Sequence, residues 1–289
     1  MQISLTIPAT VDRLGPYREY YASYVLSYAG APEGQDRLWT AFATTPRENF
    51  VGAGPWEVFT PHGYIVSPTA DPAFLYQDIT VCLREQGDVN NGRPSVHAAC
   101  LNALRIQTGE TIVHVGSGTG YYSALLAVMT GSGGVVHAYE IVPELAERAR
   151  QNLQPYVNVT LHARSGSEGP IPQCDVLYVS AGATDPIDVW LDAVRIGGRL
   201  LFPLTPDDAL GGMLLVTRTA ADEYAARFIY RVTFIPCIGA RDEDAARRLR
   251  AAFDRGDHDT VRFLRRGAPP ASGAWCWGKG WWLGADDTR

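Results

Sequence analysis

The sequence predicts an α/β fold: a mostly parallel sheet flanked by helices and closed by an antiparallel hairpin. Three observations carry this. Strand-like and helix-like runs alternate from Thr111 to Pro203. The first strand, Thr111–Val115, is rich in β-branched residues and runs straight into GSGTG (116–120) and an apolar helical run from Tyr121. Finally, the alternation breaks at Met213–Arg218 and Arg227–Ile235, separated only by TAADEYAA. That is too short for a crossover helix, so the two runs should pair as a hairpin.

Taken in order, residues 12–30 and 36–43 read as helices. Tyr20, Tyr21, Tyr24 and Tyr28 fall at helical spacing and read as an aromatic core stripe. After TPRENFVG (45–52), a Gly/Pro-rich aromatic stretch reads as loops and short strands, and 75–91 as strand and turn. Pro94 opens a helix with Val96, Cys100, Leu101 and Leu104 on one face, and Gly109 closes the segment. Val135–Tyr139 is a second strand. Pro143–Leu153 is a helix with Leu145, Ala149 and Leu153 inward and Glu144–Arg148 as an i,i+4 pair. Val157–His162 and Asp175–Ser180 are strands, the latter nearly continuous in apolar content, as a buried parallel strand should be. A helix over 187–195, ended by Gly197-Gly198, leads to the strand Arg199–Pro203. In the tail, 242–255 is amphipathic with Ala245, Leu249, Ala252 and Phe253 inward, and AWCWGKGWWLG holds four of the seven tryptophans. Burial against the main domain is expected of indoles, which cover large areas; a surface patch for a peptide or a second copy is the alternative.

Strand, glycine turn and helix together place backbone N–H groups and a positive helix end beside a ligand. A dinucleotide fingerprint, G-x-G-x-x-G, would need glycine at 121, where Tyr121 stands. The observed G-x-G-x-G resembles motif I of S-adenosylmethionine-dependent methyltransferases. Glu140 ends the second strand 20 residues after Gly120, where a βαβ unit brings a carboxylate within reach of both ribose hydroxyls.

Composition bounds the rest. At 289 residues, 46% apolar and 19% charged, the chain has a full core and an ordinary globular balance. A net charge of −6 without a basic run argues against nucleic-acid binding. The five scattered cysteines have no metal-ligand spacing and read as reduced thiols. Neither a basic-apolar leader nor an 18-residue apolar run occurs, so no membrane association and a cytoplasmic location are expected.

From about Arg37 to about Ala240 the chain resembles the protein-L-isoaspartate O-methyltransferase family. TPRENFVG, Pro94 with His97-Ala98, VHVGSGTGYYSALLA, Glu140, CDVLYVSAGA, GGRLLFPL and FIPCIGA occur in family order. The resemblance implies a Rossmann-like class I methyltransferase: a mostly parallel seven-stranded sheet with a terminal antiparallel hairpin, an N-terminal helical segment and a C-terminal extension. The implied organisation is an N-terminal region over 1–91, a cofactor-binding core over 92–240 and an extension over 241–289. S-adenosylmethionine would contact Gly116, Ser117, Gly118, Thr119, Gly120, Glu140, Ile141, Ser165 and Gly166. Two departures stand out. The family's Thr-Ile-Ser element is here Asn90-Asn91-Gly92, so the hydroxyl expected at 92 is missing. Ser95, the nearest hydroxyl, reads as a helix cap. The acid-glycine pair expected after the third strand is Ser165-Gly166, where the serine hydroxyl still accepts a hydrogen bond. Asn91, Gly92 and Arg93 are the candidate acceptor-side residues.

An acceptor carboxylate with a pKa near ~4 is ionised at neutral pH and needs no general base. This agrees with finding no nucleophile–base set and no metal site. A hydroxyl or amine acceptor would need a base or a metal. His97 is the nearest candidate base, with a structural histidine the simpler reading, and Ser95 is the other catalytic candidate, as a substitute for the hydroxyl missing at 92. His114, inside a strand, reads as structural. Three functions therefore stand. One is methyl transfer to a carboxylate, such as an isoaspartyl residue in a damaged protein. A second uses the same cofactor with a different acceptor, a small molecule or a dedicated peptide. The third is a non-catalytic cofactor-binding or partner-binding relative.

Overall fold

The computed structural model describes residues 12–30, 36–84, 87–207 and 209–285. The N-terminal stretch in which a leader was sought (1–11) lies outside them. Helix α1 (Gly15–Tyr28) packs on α2 (Asp36–Thr44) and on α3 (Pro94–Leu104). Between α2 and α3 a small hairpin, β1 (Glu57–Thr60) and β2 (Gly63–Val66), stands apart from the main sheet. The α/β alternation then runs β3 (Thr111–Val115), α4 (Tyr121–Thr130), β4 (Val135–Tyr139), α5 (Pro143–Asn152), β5 (Val159–His162), β6 (Cys174–Val179), α6 (Asp188–Ala193) and β7 (Val194–Leu204). Antiparallel β8 (Gly211–Arg218) and β9 (Glu223–Val232) follow, then α7 (Glu243–Arg255), β10 (Phe263–Arg266), β11 (Ala274–Gly278) and β12 (Trp281–Gly284).

The main sheet is ordered β11-β12-β10-β9-β8-β7-β6-β3-β4-β5. Pairing is parallel from β7 through β6, β3 and β4 to β5, and antiparallel from β7 outward on the other side. The expected seven strands are therefore present, and the tail adds three more to the same sheet. Alternate residues of the central strands feed opposite layers. Ile112, Val176 and Leu201 join α1–α4, whereas Val113, Leu177 and Leu200 join α6, α7 and the tail. This two-sided burial explains the near-continuous apolar runs.

Several local expectations are corrected. Of these four α1 tyrosines only Tyr21 is buried; Tyr20 and Tyr28 are exposed and Tyr24 is half-buried. Tyr20, Tyr24 and Tyr28 lie four apart on one face, and Tyr21, Ala22, Val25 and Leu26 on the face that meets the core. Within 75–91 the described residues form isolated bridges, Val58 with Val81 and Cys82 with Asn90, rather than a strand. Glu144 pairs with Arg84 and Arg148 donates to the Leu83 carbonyl, so the i,i+4 pair acts only through a longer-range attraction and not by direct contact. Helix α6 ends at Ala193, and β7 runs through Gly197-Gly198 beside a register shift. Strand β9 starts at Glu223, so only 219–222 separates the hairpin strands.

The tail tryptophans are split. Trp275 and Trp281 are buried, whereas Trp277 is 40% exposed. Two α7 arginines cover the outer strand, with Arg248 donating to the Trp277 carbonyl and Arg255 to the Trp275 carbonyl. Filling edge acceptors in this way blunts strand-to-strand association.

Candidate functional site

The glycine turn forms because β3 and β4 lie side by side. The Gly116 and Ser117 amides both donate to the Tyr139 carbonyl at 3.0 Å, and Gly120 N–H closes onto Ser117 at 2.9 Å. Gly116, Gly118 and Gly120 all have positive φ, a region where an L side chain is strained. A Cβ on Gly120 would also lie 2.9 Å from Leu153. Glu140 is 6% exposed at the end of β4. Its Oε2 accepts the Gly118 amide at 2.7 Å and its Oε1 the Val142 amide at 2.9 Å. Burial pushes its pKa above the ordinary 4.5, against the lowering effect of those amides.

A cavity of about 520 Å³ opens over this turn. Gly116, Ser117, Gly118 and Thr119 line it together with Asn91, Gly92, Arg93 and His97, so both sequence-predicted groups share one space. Gly120, Glu140, Ile141, Ser165 and Gly166 are not on this wall. Glu140 reaches the turn from behind through Gly118, with Ile141 42% exposed beside it. The Ser165 hydroxyl is 2.7 Å from that of Ser167, which in turn donates to the Ile238 carbonyl. Gly166 is small for a packing reason, since a Cβ there would press on Val115 at 2.7 Å and on Tyr139 at 3.0 Å.

On the acceptor side, Asn91 is fixed by its own amide: Oδ1 accepts the Val81 N–H at 2.8 Å. Gly92 has a positive φ, and a Cβ there would collide with His97 Nε2. In this arrangement the histidine ring occupies the space a side chain at 92 would need. The capping role expected of Ser95 belongs instead to Asp78. Its carboxylate accepts the Ser95 N–H at 2.8 Å and the Ser95 hydroxyl at 2.7 Å, while Arg93 is the N-cap residue and makes no side-chain cap. Ser95 is absent from the cavity wall. The loop bearing Asp78 is held by fully buried Arg47, which donates to the carbonyls of Leu75, Gln77 and Ile79.

His97 stacks on Tyr122 at 3.6 Å and its Nδ1 pairs with the Tyr178 hydroxyl at 2.7 Å. Burial, with smaller effects from His114 and Arg47, holds its pKa well below 6.5, so the ring is neutral. His114 bridges the Ser123 and Ser180 hydroxyls at 2.8 and 3.0 Å, and burial lowers it to about 3, in keeping with a structural histidine. Among the described residues no acidic side chain lines the cavity, whereas Arg93 and Arg231 both do. Arg93 is exposed and makes no side-chain bond among the described residues. Arg231 donates to the Leu210 and Gly211 carbonyls, and its guanidinium lies over the Phe253 ring at 4.8 Å. Asp78, Phe59, Arg231 and Ile235 escaped the sequence reading because each reaches the site across a non-local contact. Among them only Asp78 left a trace, as a capping-type residue with no local helix to cap.

The residues present fit an adenosyl sulfonium cofactor. The Ser117 hydroxyl is buried on the cavity wall without a partner, and the left-handed glycines leave the turn bare. Each Glu140 oxygen, already holding one amide, has acceptor capacity left.

Comparison with known proteins agrees. The family described as Protein-L-isoaspartate(D-aspartate) O-methyltransferase matches residues 32–242. A Protein-L-isoaspartate O-methyltransferase of Methanothermobacter thermautotrophicus is 31% identical over 203 residues, covering 69% of this chain and 85% of the relative. One solved protein-L-isoaspartate O-methyltransferase superposes with a TM-score of 0.63 at 21% identity, over 76% of this chain and 65% of that one. A Plasmodium falciparum beta-aspartate methyltransferase, in complex with S-adenosyl-L-homocysteine, superposes at 0.61 with 17% identity, over 77% and 98% of the two chains. These two solved structures support the fold.

Proposed function

The chain belongs to the protein-L-isoaspartate(D-aspartate) O-methyltransferase family and is an S-adenosylmethionine-dependent methyltransferase; from that premise we propose that its acceptor is an isoaspartyl carboxylate in a peptide. One observation carries the choice of acceptor: among the described residues the cavity over the glycine turn is lined by two arginines and no acid. Such a wall favours an anion, and a carboxylate is already charged at neutral pH.

The bound cofactor supplies a sulfonium methyl group open to in-line displacement by an oxygen lone pair. In this reading the backbone at Gly116, Gly118 and Gly120, which carries no side chains, would approach it closely, Glu140 would accept hydrogen bonds from its ribose hydroxyls, and Ile141 would cover its base beside Ser165 and Gly166. Arg93 and Arg231 draw the acceptor carboxylate toward the turn. His97 stays neutral, bound to Tyr178, and walls the cavity without moving a proton. Holding two reactants in line contributes up to ~7–11 kcal/mol in the best model systems. The chemistry therefore rests on positioning rather than on a base.

The cytoplasmic location belongs to the same proposal, supported by five cysteines that are all free thiols. Among the described residues no helix is long and apolar enough to cross a membrane.

The test is transfer of labelled methyl from S-adenosylmethionine to an isoaspartyl peptide and to its aspartyl twin. Labelling of the isoaspartyl peptide alone is expected. Cofactor binding without labelling of either would overturn the assigned acceptor.

A further inference from the structure

The mouth of the cavity carries three large apolar side chains left open to solvent. Phe59 of β1 is 51% exposed, Leu210 just before β8 is 48% exposed, and Ile235 just after β9 is 36% exposed; all three line the cavity. Apolar surface grouped around a functional opening marks a contact for a partner.

Phe59 is held in place. Its amide donates to the carbonyl of Thr80, itself on the cavity wall, at 2.9 Å. Its ring meets Tyr64 edge to face at 5.5 Å, and the Tyr64 hydroxyl accepts a hydrogen bond from Asn90 of the same wall at 3.1 Å. The hairpin β1–β2 is thus tied to the acceptor side at two points, with an aromatic ring fixed over the opening. Preorganisation of this kind lowers the ordering cost of binding.

We propose that Phe59, Leu210 and Ile235 form a subsite for an apolar residue flanking the isoaspartyl residue of an extended acceptor peptide. The inference rests on the isoaspartyl reading above. A reacting carboxylate must reach the glycine turn on the floor of the cavity. The main chain that carries it leaves through the mouth, so its neighbours pass these three side chains. The exposed Arg93 guanidinium beside them meets the carboxylate while the apolar rim meets the flank. The surface is continuous with the cavity and selects peptides over free small carboxylates, which have no flank to bury.

The experiment uses the full chain and two isoaspartyl peptides of equal length and charge, differing only in leucine or serine beside the isoaspartyl residue. KM and peptide dissociation constants are measured for the natural protein, Phe59→Ser and Ile65→Ser. The leucine peptide should bind about tenfold more tightly, the lower end for burying a large apolar side chain. Phe59→Ser should close that gap. Ile65→Ser, on the same hairpin but outside the cavity, should keep it. Equal constants for the two peptides, or a gap that survives Phe59→Ser, would overturn the subsite. If Phe59→Ser no longer binds cofactor, Leu210→Ser gives the same reading from the opposite side of the mouth. A Phe59-dependent leucine preference in binding, with no methyl transfer to either peptide, would overturn the isoaspartyl acceptor and leave the subsite standing.

Discussion

The glycine turn and the mouth of the cavity face the same space but are held by different kinds of contact. Gly116–Gly120 is fixed by residues within about one βαβ unit. Both its first amides end on Tyr139, and Gly118 ends on Glu140. The mouth is assembled from β1, residues 80, 83 and 90–93, Leu210 before β8 and residues 233–235 after β9. A short-range turn tolerates little change, because strain and lost hydrogen bonds fall on one small unit. An assembled surface spreads the effect of each substitution, so its residues tune selectivity rather than decide binding outright.

Three measurements break or sharpen this contrast. The largest effect is expected from Gly120→Val. It forces a β-branched residue to positive φ and drives its Cβ onto Leu153. Backbone strain alone costs about 1–3 kcal/mol. Thermal unfolding should fall accordingly, and cofactor titration should lose more than tenfold in affinity. Retained stability and affinity would mean that the turn is less constrained than its geometry indicates.

Glu140→Ala comes next, with cofactor affinity weakened at least tenfold, since charge-assisted hydrogen bonds contribute roughly 1.5–3 kcal/mol. In the natural protein the same carboxylate sets a pH dependence. Burial raises its pKa in the free protein, and donors from a bound ligand favour the ionised form, so binding lowers that pKa again. Affinity is therefore greatest above the raised pKa and falls as pH drops through it. Calorimetric titration from neutral to acidic pH should show the fall beginning above the ordinary 4.5. An unchanged constant in Glu140→Ala would remove the assignment.

The smallest effect belongs to the support behind the mouth. Asp78→Ala removes the carboxylate that caps α3 from outside, at a cost of about 0.5–2 kcal/mol. The acceptor KM should rise severalfold while the cofactor constant stays within twofold, because Asp78 touches the helix behind Arg93 and not the glycine turn. Equal losses on both sides would show that the two regions are coupled.

Legibility in the sequence follows the same division. Spacing alone pointed to Glu140 as the acid beside the glycine turn. Hydrophobic runs alone marked all five parallel strands, with β7 starting earlier than its glycines suggested. The Ser95 cap was misplaced because the real acceptor, Asp78, lies 17 residues upstream on a loop that buried Arg47 holds in position. The tyrosines of α1 misled for a related reason. Period places Tyr20, Tyr24 and Tyr28 on one face, but only packing on α2 and α3 decides that the neighbouring face is the buried one. The tail strands were missed because WCW and WWL are equally good as anchors or as strands until β9 offers an edge.

The sequence by itself determined the α/β alternation, the glycine turn and its carboxylate, and with them the cofactor class. Those features depend on periodicity and on contacts between consecutive strands. The tertiary structure alone decided that His97 fills the space beside Gly92, that Asp78 caps α3, and that Phe59, Leu210 and Ile235 meet at one opening. Each of these joins segments far apart in the chain, and no local preference encodes which distant side chain will close a given gap.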